Sequence, residues 1–171
     1  MAMSGASDQL TDQAFDSWAG FGERATRLLA AAGAQGADLT LVDMDFRHWP
    51  LSAPAVVAAF GQWAVVSHRG CQAHVLAQDW QPVVQHHGGW LRWRTPWGHR
   101  VACLQLQPED EAQWPGTLLV AQGLGGLRVL DPVSGRGRQT ADPRQMREWL
   151  REVDVILQRS VTVTPSANLG L

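Results

Sequence analysis

Residues 115–130 read PGTLLVAQGLGGLRVL: an apolar run from Thr117 to Ala121, the link Gln122-Gly123-Leu124-Gly125-Gly126, and a second run from Leu127 to Leu130. Two short β-type runs around a Gly-rich link predict a hairpin. The chain before it has a different rhythm. Phe15, Trp18, Ala25, Leu28, Leu29 and Ala32 share one helical face after Thr11 as N-cap, and Gly33 and Gly36 close that helix. Leu39 to Met44 is a β-run that ends in the acidic pair Asp43 and Asp45. Ser52 is placed to cap a helix of Val56, Val57, Phe60, Trp63 and Ala64. Ala73 to Ala77 is a second strand, again followed by an acid, Asp79. Trp80 to Trp93 reads as a helix weakened by Gly88-Gly89. Val101 to Leu106 is a third strand, and Pro108-Glu109-Asp110-Glu111 is an acidic turn.

Such alternation with short connections predicts parallel strands with helices on the sheet faces. The hairpin then makes the sheet mixed. Asp142-Pro143-Arg144-Gln145 supplies an N-cap, a Pro at the first helical position and a Gln at the third. Met146, Trp149, Leu150, Val153, Ile156 and Leu157 carry the helical period to Arg159. The expectation is an α/β fold: a mixed, mainly parallel sheet flanked by helices, with an N-terminal helix and a long C-terminal helix. Residues 1–10 are expected to be a flexible leader, 11–160 a single domain, and 161–171 an arm or tail that can act as an edge strand.

Composition sets outer limits. The chain has 171 residues, 45% apolar and 18% charged, as a globular domain requires. All 14 basic residues are Arg, and Lys and Tyr are absent. Ile and Asn occur only at Ile156 and Asn168. These four residue types have AT-rich codons, so the pattern reads as a GC-rich bacterial genome. Without Lys there is neither a Walker loop cation nor a Schiff-base amine. The net charge of −2 gives the whole chain no nucleic-acid footprint. Cys71 and Cys103 are expected to be reduced thiols. MAMSGASDQLTDQ lacks the features of a signal peptide, and the longest apolar stretch, Ala53 to Phe60, is too short to span a bilayer. The expected location is the cytoplasm, with no membrane contact.

The strand-end acids carry the first chemical reading. In open α/β sheets ligands sit at the carboxyl ends of strands, and clustered carboxylates can hold Mg²⁺. The same acids also serve as ordinary turn residues and helix caps. Asp43, Asp45, Asp79 and Arg92 are the candidate ligand-binding residues. No residue is assigned as catalytic or as a metal ligand, and no cofactor is expected. His48, His68, His74, His86, His87 and His99 show no HxxxH or HExxH spacing. In GWLRWRTPWGHR, residues 89–100, Trp alternates with Arg, as in single-strand binders. Trp90, Trp93 and Trp97 nevertheless keep the spacing of a buried helix face, so nucleic acid is not the expected partner. There is no GxSxG elbow.

Two resemblances follow from these residues. LTLVDMDF, residues 39–46, resembles the start of haloacid-dehalogenase phosphatases, an apolar strand followed by Asp-x-Asp. That family's Thr or Val would stand where Arg47 does, and its later Lys has no counterpart in a chain without Lys. Over residues 38–160 the element order resembles one half of the phospholipase D-like fold, in particular its catalytically silent versions in proteobacterial proteins. Active members carry His-x-Lys-x4-Asp at this hairpin. Laid on residues 115–122, the His position is Pro115, the Lys position Thr117 and the Asp position Gln122, followed by Gly123. The resemblance therefore implies the fold without the nucleophile and the cation that its chemistry needs. It also implies a homodimer contact on the same surface, because active single-half members pair across a two-fold axis. The expected function is a non-enzymatic interaction module working through a homodimer or a protein partner. The alternative is a Mg-dependent phosphohydrolase using Asp43 and Asp45.

Overall fold

The computed structural model describes residues 12–66 and 70–166. The expected leader, Thr11 and His68 lie outside them. Eight strands form one sheet: β1 (Gln13–Phe15), β2 (Leu39–Asp43), β3 (Ala73–Ala77), β4 (Val101–Gln105), β5 (Leu118–Ala121), β6 (Gly125–Asp131), β7 (Arg136–Thr140) and β8 (Val161–Val163). Their order across the sheet is β1-β7-β6-β5-β2-β3-β4-β8. The helices are α1 (Trp18–Gln35), α2 (Pro54–Val66), α3 (Gln81–His86), α4 (Gly88–Arg94) and α5 (Pro143–Arg159).

The sheet is mixed, but it is not mainly parallel. Only β2–β3 and β3–β4 are parallel pairs, and the other five pairings are antiparallel. The β/α alternation that predicts parallel strands ends after β4: β5 crosses to pair antiparallel with β2, β6 and β7 follow it as a meander, and β8 closes the edge beside β4. Val161–Val163 lie antiparallel against β4, so this part of the expected arm or tail forms a sheet edge.

Alternation along the strands divides the core in two. Leu39, Leu41, Val75, Val101, Cys103 and Leu119 face α1, α2 and α4. Val42, Leu76, Leu104, Leu118 and Val120 face α5, which contributes Met146, Trp149, Val153 and Ile156. A Cβ at Gly126 would lie 3.0 Å from the Trp149 ring, so the absent side chain leaves the space that the indole fills.

The N-terminus corrects the expected helix. Gln13–Phe15 pair with β7, and α1 starts only at Trp18, capped by Ser17, whose hydroxyl accepts from the Gly20 N–H at 3.0 Å. Gly33 stays within the helix, where a Cβ would meet the Ala59 carbonyl at 2.6 Å; Gly36, at φ 70°, ends it. The single helix expected over Trp80 to Trp93 breaks at His87. Ser17→Ala is expected to lose about 1 kcal/mol of stability. This should appear as a fall of about 2–4 °C in a thermal melt.

Candidate crevice at the end of the second strand

The carboxyl end of β2 and the start of β5 lie side by side because these strands are antiparallel. Above them opens a crevice of about 510 Å³, walled by Trp18, by Asp43 to Asp45 with Arg47 and His48, by Trp114 to Thr117, and by β6 from Arg128 to Leu130 with Pro132.

Its floor is the turn after β2. Asp43 is 5% exposed and accepts from the N–H groups of Asp45 (3.2 Å) and Phe46 (2.7 Å). Its other oxygen accepts from the Thr117 hydroxyl. Burial raises the Asp43 pKa, and these hydrogen bonds oppose that rise. Phe46 is fully buried with φ 55°, a left-handed conformation that a bulky residue keeps only when its surroundings enforce it. His87 adds a second constraint: its Nε2 lies 2.9 Å from the Phe46 carbonyl. Burial lowers the His87 pKa, so the neutral ring is favoured, with Nε2–H donating to Phe46.

Above the floor stand paired charges. Asp45 accepts the Arg47 N–H at 3.0 Å and pairs with its guanidinium at 3.2 Å. Arg128 pairs with Glu152 at 2.7 Å and donates to the Pro115 carbonyl at 3.3 Å. His48 stacks on Trp18 at 4.4 Å and 16°, and the Trp18 N–H is fixed by the Pro132 carbonyl at 3.1 Å.

Of the four candidate ligand residues, Asp43 and Asp45 share this crevice. Asp79 lines a separate hollow with Trp80 and Gln105 and accepts the Gln81 N–H at the start of α3 at 2.9 Å. Arg92 lies on α4, with its guanidinium curled toward Gly88 and Gly89. Asp110, the other strand-end acid, is buried and paired with Arg159 at 3.0 Å. Among the described residues no group of three His, Cys, Asp or Glu is placed to hold a metal ion. Ser52 does not cap α2; its buried hydroxyl has no partner. The Trp/Arg stretch turns inward: Trp90 is fully buried and Arg94 nearly so, while Arg100 lies over the Trp63 ring at 4.7 Å. Sequence reading missed Trp18, Arg47, His48, Trp114 and Arg128 as wall residues. Arg47 and His48 follow the Asp-x-Asp closely enough to be suspected, whereas Arg128 becomes visible only once β5 and β6 are paired.

This architecture defines the class: the chain has a phospholipase D-like fold. Nuc of Salmonella typhimurium, a phospholipase D family member, superposes with a TM-score of 0.52 over 90% of this chain and 99% of its own, at 7% identity. TrmBL2, an archaeal chromatin protein described with a novel mode of DNA binding, superposes with a TM-score of 0.62 over 89% of this chain at 10% identity. The chain spans about half of TrmBL2, 53% of its length. No family model and no curated protein matches the chain in sequence. Among the described residues no helix is long and apolar enough to cross a membrane.

Proposed function

We propose that this chain is a non-enzymatic α/β interaction module, a cytoplasmic bacterial protein that binds through its crevice face to a second copy of itself or to a protein partner. One observation carries the reading. Where the resemblance puts a nucleophile and a cation, the crevice is lined by Pro115, Gly116 and Thr117, and the Thr117 hydroxyl is engaged by Asp43. A Pro ring offers no nucleophile, and a hydroxyl donated to a carboxyl gives no cationic support to a phosphate. Around the same crevice Met44, Leu130 and Val133 are 53%, 61% and 90% exposed. Exposed apolar side chains on the crevice lining, Met44 and Leu130, and in the turn beside it, Val133, suit a protein contact.

A second reading has its own support, because the carboxylates of Asp43 and Asp45 share the crevice: a Mg-dependent phosphohydrolase. Burial of Asp43 works against it, since a metal needs the ionised carboxylate. The purified chain should turn over neither bis(4-nitrophenyl) phosphate nor 4-nitrophenyl phosphate above the blank, and Mg²⁺ should not raise its melting temperature. Sedimentation should show self-association, or a monomer that a partner completes. Turnover, or a Mg²⁺ shift abolished by Asp45→Asn, would establish the second reading instead.

A further inference from the structure

We infer that the crevice binds a small planar organic monoanion, an aromatic or heteroaromatic carboxylate. The inference rests on the reading that this face binds and does not cut, and it adds a small ligand inside the crevice to the protein contact made at its rim. Its volume of about 510 Å³ suits a molecule of this size.

The ligand's polarity follows from which hydrogen-bonding groups are already engaged. Both Asp43 oxygens accept from Thr117, Asp45 and Phe46, and both Asp45 oxygens face Arg47. The Pro115 and Pro132 carbonyls accept from Arg128 and Trp18. These two carboxylates and two carbonyls are therefore engaged. Donors are not. Arg47 and Arg128 each engage side-chain N–H groups of a single terminal nitrogen, leaving Nε and the other terminal nitrogen open. The His48 ring has a stacking contact but no hydrogen bond, and the Trp114 indole N–H has no hydrogen-bond partner among the described residues. A cleft with spare donors and engaged acceptors selects an acceptor-rich ligand.

Charge narrows the choice further. Asp45 and Glu152 offset the two guanidinium charges, so the crevice offers hydrogen-bond donors without net positive charge, and a dianion meets more repulsion there than a monoanion. The body of the ligand follows from the walls. The parallel Trp18–His48 stack and the Trp114 ring offer flat aromatic surface, and Met44 and Leu130 add apolar surface beside it.

Calorimetric titration of the full chain with 2-naphthoate, its neutral isostere 2-naphthamide and inorganic phosphate tests the inference. Naphthoate should bind one molecule per chain, with the amide at least about tenfold weaker, since a charge-assisted pair is lost. Phosphate should bind more weakly than naphthoate. Arg47→Gln should bring naphthoate down toward the amide without moving the melting temperature, because Arg47 is 65% exposed. Arg128→Gln should do the same to affinity, with its lost Glu152 pair read separately by melting. Equal binding of acid and amide, tighter binding of phosphate, indifference to Arg47→Gln, or no heat at millimolar naphthoate would each overturn it. Absent naphthoate binding with no diester turnover defeats this inference alone. Diester turnover with intact naphthoate binding defeats the non-enzymatic reading alone.

Discussion

Asp43→Ala is expected to lower stability by about 3–5 kcal/mol, while Asp43→Asn loses less than about 1 kcal/mol. The difference comes from what the side chain holds. Two backbone N–H groups, from Asp45 and Phe46, and the Thr117 hydroxyl all point at this one carboxyl. Ala leaves those donors without an acceptor in a place where Phe46 is fully buried. Phe46 also keeps its left-handed φ of 55° with one of its two clamps gone, and that conformation alone costs on the order of 1–3 kcal/mol. Asn keeps an acceptor for the backbone and offers its amide to the Thr117 oxygen. For a chain of this size the Ala variant should melt about 10 °C lower.

The pH dependence of the same pair gives a second check. Burial raises the Asp43 pKa above 3.8, so the fold favours the protonated carboxyl. The resulting stabilisation is fully present below about pH 3.8 and is lost as pH rises through the folded-state value. The Asn variant lacks this titration. Wild-type stability relative to the Asn variant should therefore be highest in acid and fall toward neutral pH. Urea melts of the wild type and both variants between pH 4 and 8 measure this. An Ala loss of no more than about 1 kcal/mol would mean that the carboxyl holds nothing.

Where the sequence was readable, burial followed a simple period. Ala73–Ala77 and the Asp142-capped α5 stand where alternation and capping placed them, and β5 starts one residue inside its apolar run. The strand β7, RGRQT, carries no apolar side chain, so periodicity is silent there. Its buried positions are a glycine and two polar residues whose partners are remote: Gln139 accepts from Arg24, and Thr140 donates to Asp12. The missing strand then conceals β1, which exists only by pairing with β7. Periodicity puts Phe15 in the core, where it lies, but on a helix instead of on β1. A short strand followed directly by a helix leaves apolar residues at spacings that mimic one longer helix. The crevice was half legible. Asp43 and Asp45 are neighbours in sequence, whereas Trp18 and Arg128 lie on elements the pattern finds, α1 and β6, and only the tertiary arrangement brings them beside the end of β2.

Gly135→Ala is expected to cost at least about 3 kcal/mol, because Gly135 is the buried end of an otherwise exposed turn. Gly135 closes the turn after β6, donating to the Asp131 carbonyl at 2.8 Å, with φ 79°. An L-residue resists that conformation, and the space is also taken. A Cβ there would run into the Trp18 backbone N, lie 2.5 Å from Trp18 Cγ and 2.7 Å from its Cα. The β6–β7 turn is thus clasped against the first residue of α1, and the Trp18 indole Nε1–H, donating to the Pro132 carbonyl, closes the clasp from the other side. Removing the ring cannot relieve the conflict, because two of the three atoms are backbone. The double variant Gly135→Ala with Trp18→Ala should therefore remain as unstable as Gly135→Ala alone or more so, and recovery to wild-type stability would show that only the indole was in the way. Because Trp18 and Pro132 both wall the crevice, the single variant should also weaken naphthoate binding without changing any residue that lines it. A variant that melts low yet binds naphthoate at wild-type affinity would separate the clasp from the site.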